Sequence, residues 1–230
     1  METQPLSDNI TKLLERVGLA AEKYDRKTQD ILLLAVSKTR PASDIQKAYD
    51  CGLTAFGESY LQEAIDKIEQ LQNLPLNWHF IGPIQSNKTR AIAGHFDWVH
   101  SVDRLKIAQR LNDQRPATLP PLQVCLQVNV SGESSKSGVD PRALAQLAQE
   151  VRQLPNLCLR GLMAIPQASD EFEHQRRAFA ELRHLFDELR ADNPDLDTLS
   201  MGMSGDLEAA IAEGATIIRV GTALFGPRNR

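Results

Sequence analysis

Apolar residues in the stretch "NITKLLERVGLAAEKY" fall at Ile10, Leu13, Leu14, Val17 and Ala21. That spacing puts them on one face of a helix and predicts an amphipathic leading segment. Past it the rhythm changes. Short apolar or β-branched runs ("ILLLAVS", "TAFGE", "NWHFIG", "WVHSV", "LQVCLQVNV", "LCLRGLMAI", "DTLSMG", "TIIRVG") alternate with longer stretches of helical period. Those include "DIQKAYDCG", "LQEAIDKIEQLQ", "DRLKIAQRLND", "PRALAQLAQEVRQL" and "EHQRRAFAELRHLFDELRAD". Consecutive parallel strands need helical crossovers, so eight such repeats predict an α/β fold, a closed (β/α)8 TIM barrel. A doubly wound open sheet is the structural alternative. No Ser/Gly-rich linker or charge block interrupts the pattern, and "RPATLPPL" is short enough for a surface loop. The chain reads as one domain over residues 1–230, with a leading helical segment at 1–30 and the barrel at 31–226.

Composition removes several function classes. Hydrophobic residues at 42% and charged residues at 24% are the balance of an ordinary globular protein, not of a disordered one. A formal charge of −4 provides no basic surface for a polyanion, so nucleic acid is not an expected partner. The stretch "METQPLSDNITKLLERVG" has no basic leader with an apolar core, and no run of about 18 apolar residues follows. A cytoplasmic protein without a membrane partner is expected. Cys51, Cys125 and Cys158 are far apart, form no C-x-x-C pair and sit beside apolar neighbours, as buried thiols in a reducing compartment would.

A barrel carries its active face at the C-terminal ends of its strands. The residues there are Ser37 and Lys38; Gly57, Glu58 and Ser59; His79 and Gly82; Asn129 and Ser131; Met163; Gly202, Met203 and Ser204; and Arg219, Gly221 and Thr222. Lys38 shares strand parity with Leu34 and Val36 and therefore emerges at the rim. A lysine there either snorkels to water or is an amine whose ammonium form is disfavoured by desolvation, able to form a Schiff base. "MGMSGDLEAAI" runs through Gly202, Ser204 and Gly205 into a helix near Asp206, and "RVGTALFG" places Gly221 and Thr222 similarly. Hydroxyls and backbone N–H groups in such loops either cap short helices or bind an anion. Barrels commonly hold a phosphate after strands seven and eight, which favours the anion. Arg219 has the parity of Ile217, and a buried guanidinium needs a carboxylate, a phosphate or a ring acceptor. A lysine on the first strand, a phosphate cradle and an arginine on the eighth are the parts needed to hold pyridoxal 5′-phosphate.

The stretches "LLAVSKTRP", "FGESYLQE", "WHFIGPIQSNK", "VNVSGESSKSGV", "LRGLMAIP" and "LSMGMSGDLEAAIAEGATIIRVGTALFG" span Leu33 to Gly226. They resemble the pyridoxal phosphate homeostasis protein family, a single-domain relative of alanine racemase. The resemblance implies a barrel of the alanine racemase N-terminal type with an extra N-terminal helix. It implies pyridoxal 5′-phosphate held as a Schiff base on Lys38, its phosphate on Ser204, Gly221 and Thr222, and Arg219 facing the pyridine nitrogen. Ser59, His79 and Met203 complete the expected cofactor-binding set. The family commonly reads FGEN where this chain has Phe56-Gly57-Glu58-Ser59, so a hydroxyl stands in for a side-chain amide. Lys136, in "SSKSG", is expected as a secondary amine near the mouth.

The implied role is intracellular cofactor homeostasis by a mainly monomeric protein that buffers or delivers the cofactor without efficient turnover. Its partners would be the cofactor, other B6 vitamers and apo-enzymes that receive it. The alternative is a pyridoxal phosphate-dependent amino-acid racemase. An arginine on the pyridine nitrogen keeps that nitrogen unprotonated and weakens the ring as an electron sink. Racemisation also needs proton donors and acceptors on both faces of the substrate, and one lysine serves one face. In the racemases that the chain resembles, a second domain supplies the opposing tyrosine across a dimer interface. Here the barrel pattern runs to Gly226, and among Tyr24, Tyr49 and Tyr60 only Tyr60 lies near a strand end. Other chemistries find no support. His79, His95, His100, His174 and His184 form no HExxH and no pairing with cysteine, so no metal is expected. "GMSGD" fails G-x-S-x-G at Asp206. Glu58 and Glu63 read as a solvated rim or a helix first turn as readily as an acid/base pair. "EFEHQRRAFAELRHLFDELR" reads as an exposed amphipathic helix with i, i+4 charge pairs.

Overall fold

The computed structural model describes residues 5–131 and 137–227, and each of the eight apolar runs forms a strand. The strands are β1 (Leu32–Val36), β2 (Ala55–Glu58), β3 (Asn77–Phe80), β4 (Trp98–Val102), β5 (Leu122–Gln127), β6 (Leu157–Met163), β7 (Thr198–Ser200) and β8 (Ile217–Val220). They pair in parallel in chain order and close between β8 and β1, so the barrel forms and the open sheet does not. Around it run α1 (Leu6–Lys23), α2 (Ala42–Asp50), α3 (Leu61–Gln70), α4 (Thr89–His95), α5 (Leu105–Gln114), α6 (Pro141–Arg152), α7 (Phe172–Ala191), α8 (Leu207–Ala212) and α9 (Thr222–Phe225).

Alternation along each strand sorts side chains into two compartments. On β1, Leu33 and Ala35 enter the large core between strands and helices, whereas Leu34 enters the barrel with Ala55 and Ile217. On β8, Ile218 and Val220 join the outer core and Ile217 the barrel interior, so Arg219 points inward rather than outward between helices. Arg219 pairs in register with Leu34, one step before Val36, which places it at the floor of the barrel mouth.

The leading helix braces that mouth. Its apolar face buries Ile10, Leu13, Val17, Ala20 and Ala21, while Leu14, expected on the same face, is exposed. Arg16 donates to the Ser204 carbonyl at 3.0 Å and pairs with Glu208, and Asn9 donates to the Leu224 carbonyl at 3.0 Å. The loops after β7 and β8 are therefore tied to one strut. Two further expectations are corrected. Cys51 is exposed because it ends α2, and Cys158 is half-buried on β6, which leaves Cys125 as the buried thiol of the three. Helix α7 buries Phe179, Leu182, Phe186 and Leu189, and its charge pairs Arg183–Asp187 and His184–Glu188 occupy the opposite face. Among the described residues no helix is long and apolar enough to cross a membrane.

Candidate functional site

A cavity of about 270 Å³ opens at the C-terminal ends of β1, β7 and β8. Seven of the eight residues expected from the sequence line it: Lys38, Ser59, Met203, Ser204, Arg219, Gly221 and Thr222. Val36, Ile81 and Ile165 supply an apolar wall, and Gly205 adds backbone to the polar side. A smaller recess shares Lys38, Gly221 and Thr222 and adds Arg40, whose guanidinium donates to the Gly226 carbonyl at 2.6 Å. A larger groove of about 700 Å³ lies between α6 and α7, lined by glutamines with Arg152, Asp192 and Asn193. Size favours that groove, but convergent chemistry distinguishes the barrel mouth. Lys136 lies outside the described residues. Tyr60 is 51% exposed at the start of α3 and does not line the cavity.

His79 is the eighth expected residue, and the structure places it elsewhere. It is fully buried inside the barrel and reaches the cavity wall only indirectly. Ile81, at the same parity two residues on, takes the rim position. The polar chain runs from Arg219 Nη1 to Ser200 Oγ at 2.8 Å, from Ser200 Oγ to His100 Nδ1 at 2.7 Å, and from His100 Nε2 to His79 Nδ1 at 2.9 Å. Arg219 can only donate, so Ser200 Oγ accepts from it, and the same hydroxyl is hydrogen-bonded to His100 Nδ1. His100 Nε2 and His79 Nδ1 share one hydrogen bond, and His79 Nε2 is buried without a hydrogen-bond partner among the described residues. Burial holds the His79 pKa down to about 3 and that of His100 well below the ordinary value, so both rings stay neutral.

Arg219 is 4% exposed, and burial brings its pKa down to about 10, which leaves it cationic at neutral pH. Its two hydrogen-bond acceptors, Ser200 Oγ and the Ala164 carbonyl at 2.9 Å, are both neutral oxygens. A guanidinium has five N–H donors, so this one retains donors while lining the cavity.

The loops after β7 and β8 are shaped by backbone. Gly202 has φ +92°, and a Cβ there would stand 2.5 Å from the Ala210 Cβ, so the turn requires glycine. Neither α8 nor α9 has a side-chain cap. Ser204 Oγ instead accepts from the Ala223 N–H at 3.4 Å, joining the two loops, and Asp206 Oδ1 accepts from the Met203 N–H at 2.5 Å. On the opposite rim, Gly82 packs so closely on Ser59 that a Cβ would lie 2.4 Å from the Ser59 carbonyl oxygen.

Sequence reasoning missed a buried charged cluster behind Lys38. Glu58 is fully buried and Lys67 nearly so, neither being the solvated group that its residue type suggests. Lys67 Nζ contacts Glu58 Oε1 at 2.8 Å, Glu63 Oε1 at 2.5 Å and the Ser37 carbonyl at 2.9 Å. Burial raises the Glu58 pKa, against the opposing bonds from Lys67 and Ser37. The Glu63–Lys67 spacing of four was visible in the sequence, but such a pair ordinarily marks an exposed helix face. Among the described residues no group of three or more His, Cys, Asp or Glu could hold a metal ion.

This barrel, with a lysine at the mouth, an inward arginine on β8 and two glycine loops, is of the alanine racemase N-terminal class. Residues 15–229 match the family described as alanine racemase, N-terminal domain. The pyridoxal phosphate homeostasis protein of Pseudomonas aeruginosa is 63% identical, over 97% of this chain and 96% of its own length. The protein of that name from Escherichia coli K12 is 51% identical, with 97% of each chain covered. The structure of PipY from Synechococcus elongatus with pyridoxal phosphate bound has TM-score 0.84 and 38% identity, over 96% of this chain and all of that one. An alanine racemase of Clostridium difficile, at TM-score 0.75 and 16% identity with 57% of its length covered, shares the fold. The chain belongs to the pyridoxal phosphate homeostasis protein family.

Proposed function

We propose that this protein binds pyridoxal 5′-phosphate at the barrel mouth, holds it covalently through Lys38, and serves to buffer or deliver it. The observation that carries the proposal is the convergence of Lys38, Arg219 and the Ser204 and Gly221–Thr222 loops on one cavity. The donor set fits the group. Arg219 is a buried cation bonded to neutral oxygens, with donors left for a ring acceptor, and the Ser204 and Thr222 hydroxyls do not cap their own helices. Those hydroxyls and the neighbouring backbone N–H groups would bind the phosphate. Val36, Ile81, Ile165 and Met203 would exclude water from the ring. Ser59 would supply a hydroxyl where relatives of the FGEN pattern carry an amide.

The cofactor supplies an aldehyde and a ring able to withdraw electrons. Lys38 would hold that aldehyde covalently through Nζ, with the carbonyl oxygen lost as water. Arg219 acts only as a donor, so it would hold the ring nitrogen unprotonated, and slow carbanion chemistry follows. A carrier is the better match than a fast enzyme. The binding partners are the cofactor and other B6 vitamers, with apo-enzymes as recipients, and the working form is a cytoplasmic monomer. The test is an absorption spectrum of the purified protein with added cofactor, then borohydride reduction and peptide mapping. A near-visible band and a label on Lys38 are expected. A colourless protein that takes up no cofactor refutes the proposal.

A further inference from the structure

We infer, on the reading that Lys38 captures the cofactor covalently, that Lys67 is a positioning residue for Lys38, acting on the two residues that flank it. Lys67 projects from α3, and its side chain is 5% exposed. An ammonium has three N–H donors, and three acceptors surround this one: the Ser37 carbonyl, Glu58 Oε1 and Glu63 Oε1. Ser37 immediately precedes Lys38. It is tied twice, because its hydroxyl also donates to Glu58 Oε1 at 2.7 Å. Thr39 immediately follows Lys38, and its N–H donates to Glu63 Oε1 at 2.6 Å. Its φ of +66° lies in the left-handed region, which a β-branched residue rarely enters.

The backbone of Lys38 is thus anchored on both sides to one buried ammonium, through one carboxylate on β2 and another on α3. Packing alone does not account for the cluster. Apolar side chains of similar volume would fill the space without the desolvation of three charged groups. The ties run to Ser37 and Thr39, which fits a device that fixes where the amine between them emerges. Covalent capture depends on that placement, whereas the phosphate loops after β7 and β8 do not touch the cluster through any of these bonds.

The experiment compares two ligands. Pyridoxal 5′-phosphate can be captured by Lys38, whereas pyridoxamine 5′-phosphate carries an amine in place of the aldehyde and cannot. In Lys67→Met, the near-visible band should form about 10- to 100-fold more slowly, the scale of a misplacement of order 1 Å, while pyridoxamine 5′-phosphate affinity stays within about twofold. Removing Lys67 leaves the buried Glu58 and the half-buried Glu63 without their cation, so Glu63→Gln is the second variant. It keeps the Lys67–Glu58 pair and an oxygen acceptor for Thr39, and should slow capture in the same direction by a smaller factor. Capture by Glu63→Gln at the unmutated rate, or equal losses for both ligands in either folded variant, overturns the positioning role. Absence of a borohydride label on Lys38 in the unmutated protein instead overturns covalent capture, so the two failures are distinguishable.

Discussion

Lowering the pH from 7 to 5 should destabilise the cofactor-free protein through two histidines, and His79→Gln should remove the part of that loss due to His79. Burial holds the His79 pKa down to about 3, and burial, with the electrostatic effect of neighbouring His79 and of the Arg219 cation, holds His100 well below its ordinary value. In the unfolded chain each would titrate near 6.5. Between these limits the unfolded state binds a proton that the folded state refuses. The stabilisation is complete above about pH 6.5 and is lost as the pH falls toward the folded value. At about 1.4 kcal/mol per unit, the 1.5 units from 6.5 to 5 amount to about 2 kcal/mol for His79, and His100 adds a loss of the same sign. That is a large fraction of a typical domain stability of about 5–15 kcal/mol.

Glutamine at position 79 keeps an oxygen that can accept from His100 Nε2 and removes one titration. Urea unfolding followed by far-ultraviolet circular dichroism at pH 7 and pH 5 measures the effect. The substitution also changes stability at pH 7, so the quantity to compare is the change between the two pH values. The unmutated protein should lose about 2 kcal/mol more than His79→Gln over that interval. Parallel pH dependences would show that His79 is not a neutral group enclosed by the barrel, and the polar chain from Arg219 would have to be redrawn.

Three further outcomes follow from the cavity. Lys38→Ala should abolish the near-visible band and the borohydride adduct while weak binding persists through the phosphate loops, as read by equilibrium dialysis. Ser204→Ala and Thr222→Val should each weaken pyridoxal 5′-phosphate about tenfold or more, at about 1.5–3 kcal/mol per charge-assisted bond, with little change for unphosphorylated pyridoxal. Equal effects on both ligands would make the loops simple helix starts. Incubated with L-alanine in deuterated water, the loaded protein should exchange the α-proton far more slowly than the about 1–1,000 per second of typical enzymes, and exchange within that range would refute the carrier reading.

The barrel was legible because strands covered on both sides read as nearly continuous apolar runs, and the intervals between them carry helical period. Lys38 and Arg219 were legible for a related reason. A strand alternates with a period of two, so Leu34 and Ile217 inside the barrel determine where Val36, Lys38 and Arg219 point. His79 is expected at the mouth from its place near a strand end, but such a place gives the direction of a side chain and not its depth. His79 and Ile81 both point inward, and only the end of β3 decides that Ile81 reaches the rim.

Glu58 and Lys67 were beyond this kind of reading. Charged side chains ordinarily stay in water, and the Lys67–Glu63 spacing is that of an exposed helical pair. What buries them is the closure of the β2–α3 connection against the turn that carries Lys38, a contact between residues 21 and 30 positions apart. The two halves of the mouth therefore have different origins. Its floor, with Arg219, Ser200 and the histidines, follows from alternation along strands, and three hydrogen bonds link these groups in series. Its rim depends on loops whose partners lie on other elements, and there a single buried ammonium does what strand geometry does for the floor. With the cofactor placed as proposed, substitutions at the floor should change what the ring nitrogen meets, and substitutions around Lys67 should change how fast the amine reaches its target.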